Sequence, residues 1–295
     1  YRHPLLVAST DSVGTKLLVA RMAGRYRCVG QDLVAMSVND ILVLGAEPLF
    51  FLDCFSCGKL DPALASETIA GIADACILAD CALLGGETAE LPGLFASDQF
   101  DIVGFAVGVV EQHRTIDGAG VEPGDVILGL ASNGLHSNGY SLARRVVFEA
   151  AGLKPADPFP GMVHSVADEL LRPTRIYVRS VVRALRYYKV KKVIHGMAHI
   201  TGGGLVGNLP RILPRGCRAD VKRSAWPVPP VFTYLAEAGS VDDEEMWRVF
   251  NMGIGFVLVV SPYYADHIAH ILRRSGEEVY KIGRIAKGNG EVVIK

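Results

Sequence analysis

Residues 31–55 read QDLVAMSVNDILVLGAEPLFFLDCF, and the fold turns on how this apolar run divides. In its first half Leu33, Met36, Asp40 and Leu44 fall on one stripe, because positions three, four and seven apart share a helix face. Asp40 is therefore expected to face inward, where a carboxylate is costly unless a metal, a lysine or donated hydrogen bonds compensate it. A cap on a short second helix, or an arginine partner, is the plainer alternative. Gly45 supplies a helix stop, and Pro48 prevents the helix from resuming before the strand-like LFFLDCF.

Outward from this helix–strand unit the same alternation continues. Strands are expected at PLLVAST (4–10) and DIVGFAVGVV (101–110), with a helix at ASETIAGIADACILADC (65–81). EQHRTIDGAGVEPGD (111–125) has charges, glycines and a proline but little apolar periodicity, so it reads as a connector, with a domain boundary near 113. Beyond it, DVILGLA, KKVIHG, CRADV, GIGFVLVV and VYKIGRIA read as strands. NGYSLARRVVFEAAG, PTRIYVRSVVRALRYY (Pro173 in its first turn) and PYYADHIAHILRR read as helices. No repeat at solenoid spacing is present. The expectation is an α/β chain of two domains, 1–113 and 114–295.

At 295 residues, with 50% hydrophobic content and 32 glycines, the chain suits two loop-punctuated cores. A net charge of −1 offers no overall electrostatic footprint for nucleic acid or an anionic membrane. No apolar run in the sequence reaches the roughly 18–20 residues of a membrane span, and the start, YRHPLLV, is expected to follow an absent native N-terminus. Cys54, Cys57, Cys76 and Cys81 raise a structural zinc site. Their apolar settings favour buried thiols instead, which points to a reducing, cytoplasmic compartment.

Acidic residues stand where apolar elements end: Asp11, Asp32, Asp40, Glu87, Glu90 and Asp101. Hard cations such as magnesium take oxygen ligands, usually a few carboxylates together with substrate phosphates. Beside them STDSVGTK offers Gly14, Thr15 and Lys16 to a phosphate, although the spacing is not that of a Walker loop. ASNGLHSNGYSL and HGMAHITGGGLVGN each lead glycines and hydroxyls into a helix, the geometry that receives phosphate. Ordinary turns would look the same. His136 and His199 lie in those loops, where an imidazole can move a proton near neutral pH. His195 and His199 are four apart, but KKVIHG reads as a strand and the glutamate of H-E-x-x-H is missing. No G-x-S-x-G elbow or cysteine-protease signature is present.

Taken together, STDSVGTK, GQDLVAMSVNDILVLGAEPLFFLD, LLGGETAELPG, HSNGYSL, PTRIYV, HITGGG and FNMGIGF resemble the aminoimidazole ribonucleotide synthetases, the phosphoribosylformylglycinamidine cyclo-ligases of purine biosynthesis. The pattern from Asp40 to Pro48 marks a wider superfamily that includes selenophosphate synthetase, thiamine-monophosphate kinase and the hydrogenase maturation ATPase. The resemblance implies a first domain that holds ATP and magnesium and whose sheet pairs across a homodimer, and a second domain with a mixed sheet flanked by helices. It implies Asp11, Asp40 and Glu87 as metal ligands, with Gly14, Thr15, Lys16, Asp32, Asn39 and Gly86 around the nucleotide. Ser137, Asn138, Gly139, Thr201, Gly202, Gly203 and Gly204 are then expected near formylglycinamidine ribonucleotide, with His199 or His136 as proton shuttle.

The resemblance further implies phosphoryl transfer from ATP to the formyl oxygen, followed by ring closure and loss of phosphate. Two departures stand out. The family's glycine-rich N-terminal segment with its ATP-closing lysine lies outside this chain, and Ser12 replaces the usual glycine of T-D-G-V-G-T-K, adding a Cβ and a hydroxyl where an unusual backbone dihedral or a close approach to phosphate is expected. Another superfamily branch, a non-catalytic nucleotide-binding regulator and a zinc module remain as alternatives. Selenophosphate synthetase is disfavoured because no reactive cysteine precedes the first glycine turn.

Overall fold

The computed structural model describes residues 1–295. The first half builds β1 (Pro4–Ser12), α1 (Lys16–Ala23), α2 (Arg27–Leu42), β2 (Glu47–Cys57), α3 (Pro62–Ala79), β3 (Ala82–Glu90) and β4 (Phe100–Glu111). Its four strands lie in the order β1-β4-β2-β3, with β2 and β3 parallel and the other pairs antiparallel. Helices α2 and α3 pack against one face of this sheet. The opposite face exposes Leu6, Leu52, Leu84, Val103 and Phe105.

The second half contains β5 (Val126–Ala131), α4 (Tyr140–Arg144) continuing into a π-helical turn (Arg145–Ala150), α5 (Val166–Leu170), α6 (Val178–Tyr187), β6 (Ile194–His199) and α7 (Gly204–Asn208). β7 (Gly216–Val221), α8 (Pro230–Gly239), α9 (Asp243–Val249), β8 (Ile254–Val260), α10 (Ala265–Arg274), β9 (Val279–Gly288) and β10 (Val292–Ile294) complete it. The sheet order is β10-β7-β9-β5-β8-β6, with only β10 and β7 parallel. β8, between β5 and the edge strand β6, is buried along its whole length, which requires cover on both faces and explains the unbroken apolar run IGFVLVV.

Helix α3 starts cleanly because Asp61 accepts from the amides of Ala63 and Leu64, and Pro62 fits the first turn. Its 18 residues are apolar enough in composition to cross a membrane, which the sequence reading did not foresee. Here α3 is a layer helix. It buries Ala65, Thr68, Ile72, Ala75 and Cys76, and its Asp74 pairs with Arg27. α2 and α3 touch backbone to backbone: a Cβ on Gly30 or Gly71 would overlap the carbonyl oxygen of Thr68 or Arg27.

Two expected elements differ. LLGGETAELPG (83–93), whose paired glycines read as a turn, instead runs through edge strand β3 as far as Glu90. The helix expected from Pro173 begins only at Val178, because residues 173–177 are drawn straight by contacts to α2.

Candidate active site at the domain seam

The strap 173–177 is the main tie between the two sheets. Thr174 donates to Asp32 Oδ1 from its backbone N (2.7 Å) and its hydroxyl (2.6 Å). Asn39 donates to the carbonyl of Arg175 (2.8 Å) and accepts from the amide of Tyr177 (3.1 Å). Lys16 is wholly buried and pairs with Asp32 at 2.8 Å. It also donates to the carbonyls of His136 (2.9 Å) and Arg172 (2.6 Å). Its three N–H groups are thus all taken. Lys16, Asp32 and Asn39 join the domains here, which differs from the phosphate-facing role expected of Lys16. The glycine turn before it does reach solvent: Gly14 has φ +69° with open space where a Cβ would point, and Thr15 opens α1 with no side-chain cap.

Strand register sorts the acids of the first sheet. Asp11, Gly104, Asp53 and Gly86 form one row across β1, β4, β2 and β3, on the face covered by helices. The next row, Ser12, Val103, Cys54 and Glu87, points to the uncovered face. Glu87 therefore points away from Asp11, and no group of three His, Cys, Asp or Glu side chains is close enough to hold a metal ion. The expected trio of Asp11, Asp40 and Glu87 does not converge within this chain. Gly86 has a local reason to lack a side chain, since its Cβ would lie 2.6 Å from the Asp53 carboxylate. Burial raises the pKa of Asp53, an acid the sequence reading passed over. Ser12 takes an ordinary strand conformation and its amide donates to Asp11 Oδ1 at 2.8 Å, so the strain expected there is absent.

Asp40 is not buried. Its side chain is 43% exposed at the domain seam and accepts from His199 Nδ1 at 2.8 Å. Its compensation is an imidazole from the second domain, delivered by the end of β6. With Nδ1 so engaged, His199 Nε2 is left buried and without any partner. Asp11 lies near this pair. Burial raises its carboxyl first and the Asp40 charge adds to that, while its bond from Ser12 and the His199 charge pull the other way.

The two glycine loops of the second domain meet beside His199. Asn138 Oδ1 lies 3.6 Å from the position a Gly202 Cβ would take, and Ser137 Oγ is 3.2 Å from Thr174 Oγ1 on the strap. Gly139 (φ +76°) packs on Phe250, and Gly204 (φ +59°) packs on the Trp247 carbonyl, both too tightly for a side chain. Asn208 holds the second loop, accepting from the Thr201 amide (2.7 Å) and donating to the Gly202 carbonyl (3.3 Å). Gly203 precedes α7 at φ +100°. Asn251 holds the first loop through Ser132 and the Gly134 carbonyl. Neither asparagine was singled out from sequence; their signal was only an Asn beside a glycine-rich run. His136 is fully buried at φ +61°, and its Nε2 accepts from the Asn133 amide at 2.9 Å. Burial drives its pKa well below the ordinary histidine value, so the ring is neutral.

His195 and His199 lie on a strand and bind different acids, His195 Nδ1 pairing with buried Asp125 at 2.7 Å. The cysteines do not assemble a zinc site either: Cys54 and Cys57, three apart on β2, face opposite sides of the sheet.

Two family profiles divide the chain: AIR synthase related protein, N-terminal domain, over residues 3–110, and its C-terminal domain over 122–295. Among curated relatives, the phosphoribosylformylglycinamidine cyclo-ligase of Citrifermentans bemidjiense is 53% identical over 97% of this chain and 81% of its own length. That of Trichlorobacter lovleyi is 54% identical over 97% and 80%. Among solved structures, thiamine-monophosphate kinase from Stenotrophomonas maltophilia superposes with a TM-score of 0.72 at 19% identity, covering 99% of this chain and 86% of that one. A HypE–HypF complex gives 0.73 at 20%, covering 98% and 87%. At such identities these structures speak for the fold alone, whereas the sequence matches, at more than half identity over 97% of this chain, go further: the chain belongs to the phosphoribosylformylglycinamidine cyclo-ligases of the AIR synthase family.

Proposed function

We propose that the chain closes the imidazole ring of aminoimidazole ribonucleotide from formylglycinamidine ribonucleotide, using ATP, in the cytoplasm. The γ-phosphoryl group passes to the formyl oxygen, breaking its bond to ADP and turning a poor leaving group into phosphate; the amide nitrogen loses a proton to give an iminophosphate. An amidine nitrogen then attacks the same carbon. The new C–N bond forms, the C–O bond to phosphate breaks, and the attacking nitrogen releases a proton. Positioning and charge neutralisation are the main sources of rate in such transfers.

The observation that carries this reading is the Asp40–His199 pair. Asp40 fixes the imidazole with its proton on Nδ1, which leaves the enclosed Nε2 as the basic nitrogen that takes the proton released on ring closure once substrate binding opens access to it, and the carboxylate stabilises the imidazolium. The exposed Gly14–Thr15 turn at the start of α1 supports nucleotide phosphate binding. The loops at 136–139 and 201–204 support the substrate site. Asp11 and Asp40 fit magnesium as two neighbouring carboxylates, Asp11 being raised first by burial and then by the Asp40 charge. When bound there, the ion would supply neutralisation of phosphate charge. Of the two features that motivate the regulator alternative, Ser12 and the N-terminal segment outside this chain, the first shows no backbone strain.

With magnesium, ATP and formylglycinamidine ribonucleotide, ADP and aminoimidazole ribonucleotide are expected in equal amounts, with no turnover of thiamine monophosphate or selenide. His199→Asn and His199→Ala should each lower kcat by at least about 100-fold, within the usual range for a lost general base. A drop smaller than about tenfold in both would remove His199 from proton transfer. The apolar outer face of the first sheet supports a homodimer through β1, β4 and β2.

A further inference from the structure

No Asp or Glu occurs between Glu169 and Asp220, a stretch that carries eleven lysines and arginines in a chain whose net charge is −1. Part of this excess gathers at one concavity. The turn between α6 and β6 contributes Lys189, Lys191 and Lys192, and the connector between the domains contributes His113 and Arg114. Together they line a cavity of about 80 Å³ that has no carboxylate in its wall. Its floor is aliphatic, including Ile116 and Leu185.

None of the four full cations has an acidic partner. Arg114 donates to the Leu185 carbonyl (3.1 Å) and Lys191 to the Tyr264 hydroxyl (2.9 Å). The ammonium groups of Lys189 and Lys192 make no hydrogen bond or ion pair within the chain. Glu111, the acid beside His113, is committed to the amides of Arg2 and His3. Four like charges around a low-dielectric floor repel one another, and such a cleft concentrates counter-ions of the opposite sign. The concavity has room for several waters or one tetrahedral anion. Arginine and lysine are the side chains that hold phosphate oxygens by charge-assisted hydrogen bonds.

We propose that this cavity is a phosphate-group site at the joint between the two domains, separate from the seam where Asp40 meets His199. The phosphate can come from inorganic phosphate or from a nucleoside monophosphate whose sugar and base stay outside.

Calorimetric titration of the full chain with inorganic phosphate, and in parallel with AMP, at constant ionic strength set by chloride, tests it. Saturable binding of at least one of the two is expected, weakened at least tenfold in the Lys189→Ala/Lys192→Ala double variant. Binding of phosphate assigns the free ion as source, and binding of AMP alone assigns the nucleotide. A charge-retaining Lys189→Arg/Lys192→Arg variant should keep the affinity and shows that the fold tolerates change there. No saturable binding of either probe, equal affinity in the alanine variant, or loss in the arginine variant as well would overturn the proposal.

Discussion

Removing the ammonium of Lys16 leaves Asp32 charged, buried and short of its counter-ion. Breaking a buried pair in this way costs about 3–5 kcal/mol, so Lys16→Ala should lose stability of that order in urea unfolding. A loss under about 1 kcal/mol, the value of an exposed pair, would mean that Lys16 is not seated as described. The sequence exposed the presence of these residues but not their direction. A lysine after a glycine and a threonine has the local form of a phosphate reader, and it is Asp32 together with the carbonyls of His136 and Arg172 from the second half of the chain that consume its donors. Asp40 was misplaced for the opposite reason. Helical spacing put it on a buried stripe with Leu33 and Met36, yet it stands close to the helix end, where the second domain rather than the first sheet is its neighbour. Its need for a compensating partner was legible; the partner, 159 residues away, was not.

At the scale of elements, the crossing of α2 over α3 makes a sign-reversed prediction. Glycine to alanine inside a helix ordinarily gains about 1 kcal/mol. At Gly71 the added methyl would meet the Arg27 carbonyl and force the helices apart, an overpacking cost of about 1–3 kcal/mol. Gly71→Ala should therefore lower Tm, whereas Gly207→Ala in α7, with open space beside it, should leave Tm unchanged or raise it; equal responses would contradict the close crossing. The strong strands and the long helices were readable from period and from the stops at Gly45 and Pro48. β3 was not, because glycines and acids outweigh apolar residues in an edge strand whose Gly86 makes room for Asp53. The start of α6 was misread because contacts from Asp32 and Asn39 override a helix-compatible sequence at 173–177. α9 and β10 are short, and their periodicity is too brief to register.

For the whole molecule, the uncovered face of the first sheet places Phe105 directly beside Leu52, with Thr10 completing the row. A contiguous exposed apolar face of this kind marks an interaction surface. Sedimentation should find the chain dimeric, and Phe105→Asp should shift it to monomers while β4 keeps its place; a monomeric parent chain would refute the pairing. Two-layer composition and two-domain length were legible in the sequence, but no periodicity distinguishes a sheet face that meets helices from one that meets another copy. The strap has a temporal consequence as well. Asp32 is bonded to Thr174 across a sequence separation of 142, and at about 5–20 residues per second of synthesis that chain emerges on the order of 10 s later. For that interval the nascent first domain carries Asp32 and Asn39 on a surface that the finished protein hides, and its maturation is timed by translation of the second.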